Sequence, residues 1–250
     1  MNVNSCELFA LTDIGKKRPN NEDQAGLFNG DEFKAIIIAD GMGGHSAGEV
    51  ASSIAVNTII KMLSLTPKPE NITKAKKMLH KIVKKANSSI HKLAISKSRY
   101  YGMGTTLVLA LLLDEKTLII NCGDSRAYTY KRDGNQFKRI TYDQTVVQYL
   151  YSMGSISKSE MLTSPKRHVL MNAMGISNSI DYDTYEIDND YDLLLCCSDG
   201  LTNMVPDEDI KKIIEENIDG KIEVLTQKLM DAALDNGGVD NISISVLEAK

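Results

Sequence analysis

Four aspartates each close or open an apolar run that reads as a buried strand. Asp40 ends the run from Ile36 and precedes Gly41. Asp124 follows Leu118–Cys122 and Gly123, Asp199 follows Leu193–Cys197 and precedes Gly200, and Asp240 stands just before Ile242–Val246. One such Asp is a turn residue. Four of them, spread along the chain, imply a fold that brings strand ends distant in sequence to one point. Carboxylates gathered there need a cation to stay ionised together. The pattern therefore points to a metal-dependent hydrolase acting on an anionic substrate.

Bulk properties narrow the class. A chain of 250 residues can bury a full α/β or α+β core, and no repeat, low-complexity stretch or linker divides it, so residues 1–250 read as one domain. The net charge of −4 argues against a nucleic-acid binder with a basic surface. The longest apolar run, Leu107–Leu113, is too short to span a bilayer, and the N-terminus lacks a signal-peptide pattern. A cytoplasmic location, no membrane association and a monomer are the expectations. Cys6, Cys122, Cys196 and Cys197 have no CxxC spacing, so they read as buried reduced thiols.

The organisation along the chain is strand-rich with paired helices. Asp23–Phe28 and Glu32–Ala39 flank Asn29-Gly30, a tight-hairpin dipeptide. Val50, Ile54, Ile59, Ile60 and Leu63 predict a helix over 49–63. Met78, Leu79, Ile82, Val83, Ala86, Ile90 and Leu93 predict a second over 72–95, its lysines forming a solvated face. Strands are predicted at 105–114, 117–121, 127–130 and 137–141. Lys131–Asn135 joins the last two, and Asp133-Gly134 within it is a plain turn that needs no metal. Residues 143–175 read as a mostly helical insertion, with capping-box spacing at Ser157 and Glu160. A strand at 193–197, helices at 207–217 (Ile210, Ile213 and Ile214 inward) and 222–234 (Val224, Leu225, Leu229 and Met230 inward) and a strand at 242–247 complete the chain. Strands segregated from helix pairs suggest an α+β layered sandwich.

Rigid strand ends are what a pre-organised metal site requires, and the absence of His or Cys in ligand spacing favours Mn²⁺ or Mg²⁺ over Zn²⁺. Arg18, on an Arg-Pro segment close to Glu22 and Asp23, suits a bidentate grip on phosphate oxygens. Asp40–His45 carries a Gly-x-Gly that has a dinucleotide-fold rival reading. Ser46 occupies the sixth position of that motif, and the Asp40 charge would repel a pyrophosphate. The glycines fit better with close backbone approach to a hydrated metal.

Taken together, Arg18 with Asn21-Glu22-Asp23, Asp40–Glu49, Gly102–Thr106, Gly123–Arg126, Cys197–Thr202 and Asp240-Asn241 resemble, in order, the bacterial PP2C (PPM) family of metal-dependent serine/threonine protein phosphatases. The resemblance runs from about residue 10 to the C-terminus. It implies a four-layer α/β/β/α sandwich, two antiparallel sheets flanked by helix pairs. It also implies that Asp40 bridges two Mn²⁺ or Mg²⁺ ions, with the Gly41 carbonyl on the first and Asp199 and Asp240 on the second. Glu22 and Asp23 act mainly through bound waters, and Asp124 with Asp199 matches the pair that holds a third, weaker ion. Arg18 grips substrate phosphate, and residues 142–175 form a flap beside the site. A water activated between two metals would attack phosphorus directly, with no phosphoenzyme. Phosphorylated proteins, and a cognate Ser/Thr kinase whose work is reversed, are the partners so implied.

Two positions depart from patterns seen in the family. Met42 stands where many eukaryotic members carry a proposed general-acid His, leaving His45 and a metal-bound water as candidate proton donors. Gln144 replaces the His of a common Asp-His-Ser/Thr in the flap. A non-catalytic phosphoprotein-binding module with the same fold would be expected to have lost metal ligands, and none is lost. A metal-dependent nuclease is disfavoured by the acidic charge.

Overall fold

The computed structural model of the chain describes residues 3–43 and 47–249. Two antiparallel sheets stack face to face. One is ordered β1 (Cys6–Asp13), β11 (Ile242–Ala249), β10 (Leu193–Cys197), β7 (Arg126–Lys131) and β8 (Gln136–Arg139). The other is ordered β2 (Asp23–Asn29), β3 (Lys34–Met42), β5 (Leu107–Leu112), β6 (Lys116–Cys122) and β9 (Asp183–Asp188), with β4 (Gly104–Thr105) paired to the end of β3.

The apolar runs form strands because both faces of each sheet are covered, which calls for continuous hydrophobicity rather than alternation. On β3, Ile36 and Ile38 point between the sheets, where they meet Leu194, Cys196 and Leu247. Ala35, Ile37 and Ala39 point the other way, toward helices α1 (Ala47–Ser64) and α2 (Ile72–Ser96). On β10, Leu193, Leu195 and Cys197 face α6 (Asp207–Asn217) and α7 (Ile222–Asp235). The layers are thus helix pair, sheet, sheet, helix pair.

Several local expectations shift. The face of α1 turned to the sheet is a stripe of small residues, Ala47, Ala51 and Ala55, with Val56, Ile59 and Leu63; Val50, Ile54 and Ile60 are only partly buried. Small side chains let that helix lie close on the sheet. Val224 is exposed, and Ile222 and Thr226 take inward positions on α7. The Asn29-Gly30 hairpin closes with four residues, because Asn29 pairs with Lys34. β1 and β9 are additional strands whose mixed, half-buried residues carry no strong apolar run.

The expected strand 105–114 is split at Thr106. Its N–H leaves the ladder to donate to the Asp40 carbonyl at 2.8 Å, so the break serves the site. The insertion at 143–175 is mainly loop. It contains α3 (Val146–Ser152) and α4 (Lys158–Thr163), the latter starting with the expected Ser157–Glu160 capping box. Among the described residues, no helix is long and apolar enough to cross a membrane.

Candidate metal and phosphate site

The strand ends do converge. Arg18, Glu22, Asp40, Gly41, Asp124, Asp199 and Asp240 line one open cleft of about 790 Å³ at the end of the sandwich. Asp23 lies beside Asp40 in the ladder and is buried beneath the cleft floor. His45 lies outside the described residues. Asp133 sits in a single exposed helical turn between β7 and β8, away from the cleft, as a bare Asp-Gly turn should.

Asp40 is fixed through its backbone. Its N–H donates to Thr106 Oγ1 at 3.0 Å, and its carbonyl accepts from Thr105 Oγ1 at 2.9 Å as well as from Thr106 N–H. The next residue must be glycine. A Cβ on Gly41 would collide with the carbonyls of Gly48 and Glu22, which close over it. Gly41 N–H donates to that Glu22 carbonyl at 3.0 Å, tying β3 to the loop that carries Glu22. The Glu22 carboxylate in turn packs against Gly48 in the first turn of α1, where a side chain on Gly48 would meet it.

The second cluster comes from the other sheet. Asp199 opens the short helix α5 (Asp199–Thr202) directly after β10, and Asn203 Nδ2 donates to its carboxylate at 3.0 Å. Ser198, fully buried, links the two sheets. Its Oγ donates to Asp23 Oδ2 at 2.7 Å and accepts from Ser243 N–H at 2.9 Å. Asn241 fixes the loop before β2. Its Nδ2 donates to the carbonyls of Ile14 and Asn20, at 2.8 and 3.0 Å, and its Oδ1 accepts from Glu22 N–H at 2.8 Å. Arg18 reaches across from that segment to Asp240.

Asp124 follows Gly123, whose φ of 106° suits only glycine. Gln144 clamps this turn: its Oε1 accepts from Gly123 N–H at 3.1 Å, and its own N–H donates to the Gly123 carbonyl at 2.9 Å. The glutamine at the flap's departure is therefore an anchor for Asp124 rather than a gap in the machinery. Arg126 faces away from the cleft into a bidentate pair with Asp143, at 3.0 and 2.8 Å. The far end of the insertion docks on β4 through reciprocal backbone bonds between Thr105 and Met174. These clamps bring His168 over the cleft, with Nδ1 3.7 Å from Asp199 Oδ2.

The sequence marks Gln144 only as a departure from a flap pattern and Asn241 only beside Asp240, and it assigns no role to Ser198 or His168. These residues act across long sequence separations, for which a single chain carries no spacing signal.

The electrostatics are those of an anion cluster short of cations. Burial, followed by repulsion from Asp23, Asp199, Asp124 and Asp240, holds the Asp40 pKa well above the usual carboxylate range. Burial also pushes Asp23 up to about 7 despite the Ser198 hydrogen bond, and Asp124 up to about 8. Glu22 is raised for the same first reason. Contact with Asp199 raises the His168 pKa. A fold that assembles ionisable groups at such cost fits a divalent cation, and the hard oxygen donors fit Mn²⁺ or Mg²⁺.

The profile of the Protein phosphatase 2C family matches residues 15–236. The chain belongs to the PP2C family of serine/threonine protein phosphatases. It is 36% identical over 241 residues to the serine/threonine phosphatase stp of Listeria innocua, covering 95% of this chain and 93% of that one. The crystal structure of the serine/threonine phosphatase Stp1 from Staphylococcus aureus superposes with a TM-score of 0.90 at 34% identity, over 98% of this chain and 95% of that one. The catalytic domain of the phosphatase PstP, solved in complex with two manganese ions, superposes with a TM-score of 0.82 at 31% identity, over 97% of both chains. The PP2C sandwich of two antiparallel sheets and flanking helices is therefore this chain's fold, and its activity is that of a serine/threonine protein phosphatase.

Proposed function

We propose that this PP2C phosphatase hydrolyses phosphoserine and phosphothreonine in one direct displacement by water at a two-cation centre. Asp40 would bridge the two cations, with the Gly41 carbonyl on one and Asp199 and Asp240 on the other. Glu22 and Asp23 would act through ordered water, and Asp124 with Asp199 would hold a third, weaker ion. The cluster of buried carboxylates, raised together by burial and mutual repulsion, is the observation that carries this reading. Mn²⁺ or Mg²⁺, when bound, supplies an acidified water at neutral pH and positive charge for the phosphate oxygens.

The chain's own residues do the positioning. Thr105 and Thr106 hold the Asp40 backbone, and Ser198 orients Asp23 by donating to it. Arg18 lies at the cleft wall with half of its side chain exposed. It has donors beyond the one given to Asp240, and these can grip equatorial phosphate oxygens. His45 remains the candidate donor of a proton to the leaving serine or threonine oxygen. The substrates are phosphoproteins, and the enzyme would work in the cytoplasm against a Ser/Thr kinase.

Release of phosphate from a phosphothreonine peptide tests the reading. Turnover should require Mn²⁺ or Mg²⁺ and stop with EDTA. Absence of turnover with either ion between pH 6 and 9 would overturn it.

A further inference from the structure

We propose that His168, carried by the flap, supplies an imidazole ligand to the ion held between Asp124 and Asp199. That ion would then sit in a mixed nitrogen–oxygen site selective for Mn²⁺ over Mg²⁺. The inference rests on the metal reading of Asp124 and Asp199 given above and adds the flap to it.

One donor atom from each of Asp124, His168 and Asp199 lies within 4.8 Å of the other two. Ligands about 2.0–2.2 Å from a shared ion sit at most about 4.4 Å apart, so little closing is required. The His168–Asp199 separation of 3.7 Å is too long for a hydrogen bond. Among the described residues the imidazole has no hydrogen-bond partner closer than this, and no Lys or Arg forms an ion pair with Asp124 or Asp199. The nearest arginine in sequence, Arg126, is committed to Asp143. Asp124 is thus a largely buried carboxylate with no ion-pair partner among the described residues, within 4.8 Å of an imidazole and a second carboxylate.

The backbone around His168 is set for this. Val169 donates to Lys166 at 3.0 Å and accepts from Val146 N–H at 2.9 Å, so the residue next to His168 is bound on both sides. His168, Asp124 and Asp199 also line both the main cleft and a neighbouring one of about 610 Å³ under the flap. They form the seam between the two, and an ion there would tie the flap to the sandwich. A nitrogen ligand shifts preference from Mg²⁺ toward Mn²⁺, whereas two carboxylates alone do not.

The test uses the full chain loaded with Mn²⁺, with pulsed electron paramagnetic resonance to detect ¹⁴N coupled to the metal. The other ligands proposed for this protein are all oxygens, so a directly bound imidazole gives a distinct signal. Wild type should show it, and His168→Asn should lose it. Calorimetric titration should show Mn²⁺ at the weakest site binding at least about tenfold less tightly in His168→Asn, with Mg²⁺ nearly unaffected. Absence of ¹⁴N coupling in wild type, its persistence in His168→Asn, or equal loss of Mn²⁺ and Mg²⁺ affinity would each overturn the assignment. Asp124→Asn separates this from the parent reading. If Asp124→Asn binds every ion as wild type does, the third-ion site itself is wrong. If it loses the weakest ion while ¹⁴N coupling is absent from wild type, only the histidine is wrong.

Discussion

Arg18 donates from Nη2 to Oδ2 of Asp240 at 2.7 Å, across 222 residues of sequence. The cation expected to hold substrate phosphate thus already touches a carboxylate expected to hold a metal. The two roles are compatible because a guanidinium has five donors and this contact uses one. The pair also fixes which way Arg18 approaches the cleft.

Arg18→Ala should raise KM for a phosphothreonine peptide about tenfold while changing kcat less. Apparent Mn²⁺ affinity should not fall, because a positive charge beside Asp240 is being removed. Arg18→Lys should be intermediate, since an ammonium keeps the charge but loses the fork. Steady-state kinetics across a Mn²⁺ titration measures both quantities. An unchanged KM would take Arg18 out of the phosphate site.

Asp40→Asn and Asp199→Asn should each lower turnover about a thousandfold, the scale of several kcal/mol of transition-state charge stabilisation. Asp133→Ala, in the exposed turn, should stay within about twofold of wild type. For Asp40→Asn a second effect has the opposite sign. Removing one buried like charge should raise the melting temperature of the metal-free protein at pH 8, because the site is assembled at the expense of stability. Thermal denaturation in EDTA reads that shift, and a lower melting temperature would contradict the repulsion seen at Asp40.

How far the residues alone carry the fold depends on what anchors each element. Ile36–Ile38, Leu107–Leu112 and Leu193–Cys197 are strands buried on both faces, and their unbroken apolar runs declare it. β1 and β9 are edge strands with mixed residues, and they exist because a neighbour offers them a ladder. The α1 stripe misleads for a related reason. The larger residues Val50 and Ile54 look like core, yet close approach to the sheet selects Ala51 and Ala55. At the site, the acidic residues are legible because each follows or precedes a strand. Ser198, Gln144 and His168 are not, because their partners lie far away in sequence and are brought near only by tertiary packing.

The metal-free protein should lose stability as pH rises from about 4 to above 8. Asp23 at about 7 and Asp124 at about 8 lie well above an unfolded carboxylate near 3.8, and Asp40 is raised in the same direction. Between the two values the folded state binds more protons than the unfolded one, so unfolding free energy falls with pH. Below pH 4 no penalty from these groups exists; it grows through the values of Asp23 and Asp124 and further as Asp40 ionises. Melting temperature in EDTA should therefore drop by several degrees between pH 5 and 8, and added Mn²⁺ should stabilise far more at pH 8 than at pH 5. A metal-free melting temperature that rises over this range, or Mn²⁺ stabilisation independent of pH, would contradict the picture.

Ser198→Ala should weaken Mn²⁺ binding about ten- to a hundredfold while leaving the fold intact. The serine touches no substrate. It donates to Asp23 and accepts from Ser243 N–H, holding a carboxylate that faces the cleft from below. Ser198→Thr should restore part of the affinity if the methyl is accommodated, because the hydroxyl returns. Calorimetry gives the affinity and circular dichroism the fold; unchanged Mn²⁺ binding in Ser198→Ala would make the residue merely structural.

Asp143→Ala should be among the more destabilising single changes near the flap. It strips the bidentate partner from Arg126, whose side chain is 21% exposed, and leaves a mostly buried guanidinium without its main counterion. Breaking a buried pair costs about 3–5 kcal/mol. The partial exposure of Arg126 and its remaining pair with Asp207 at 3.7 Å keep this one near the lower bound, a fall in melting temperature of roughly 6–12 °C in a chain of this size. The freed Arg126 keeps that longer pair with Asp207, and a further alternative is Asp124, two residues earlier and already within its field. A move to Asp124 would place a guanidinium where the weakest cation is expected, so Asp143→Ala should also lower Mn²⁺ occupancy there while the tighter pair of ions is retained. Asp143→Asn keeps one acceptor for Arg126 and should show smaller changes in both readouts. A melting temperature equal to wild type in both variants would mean that Arg126 finds another partner and that the clamp does not hold the flap's base.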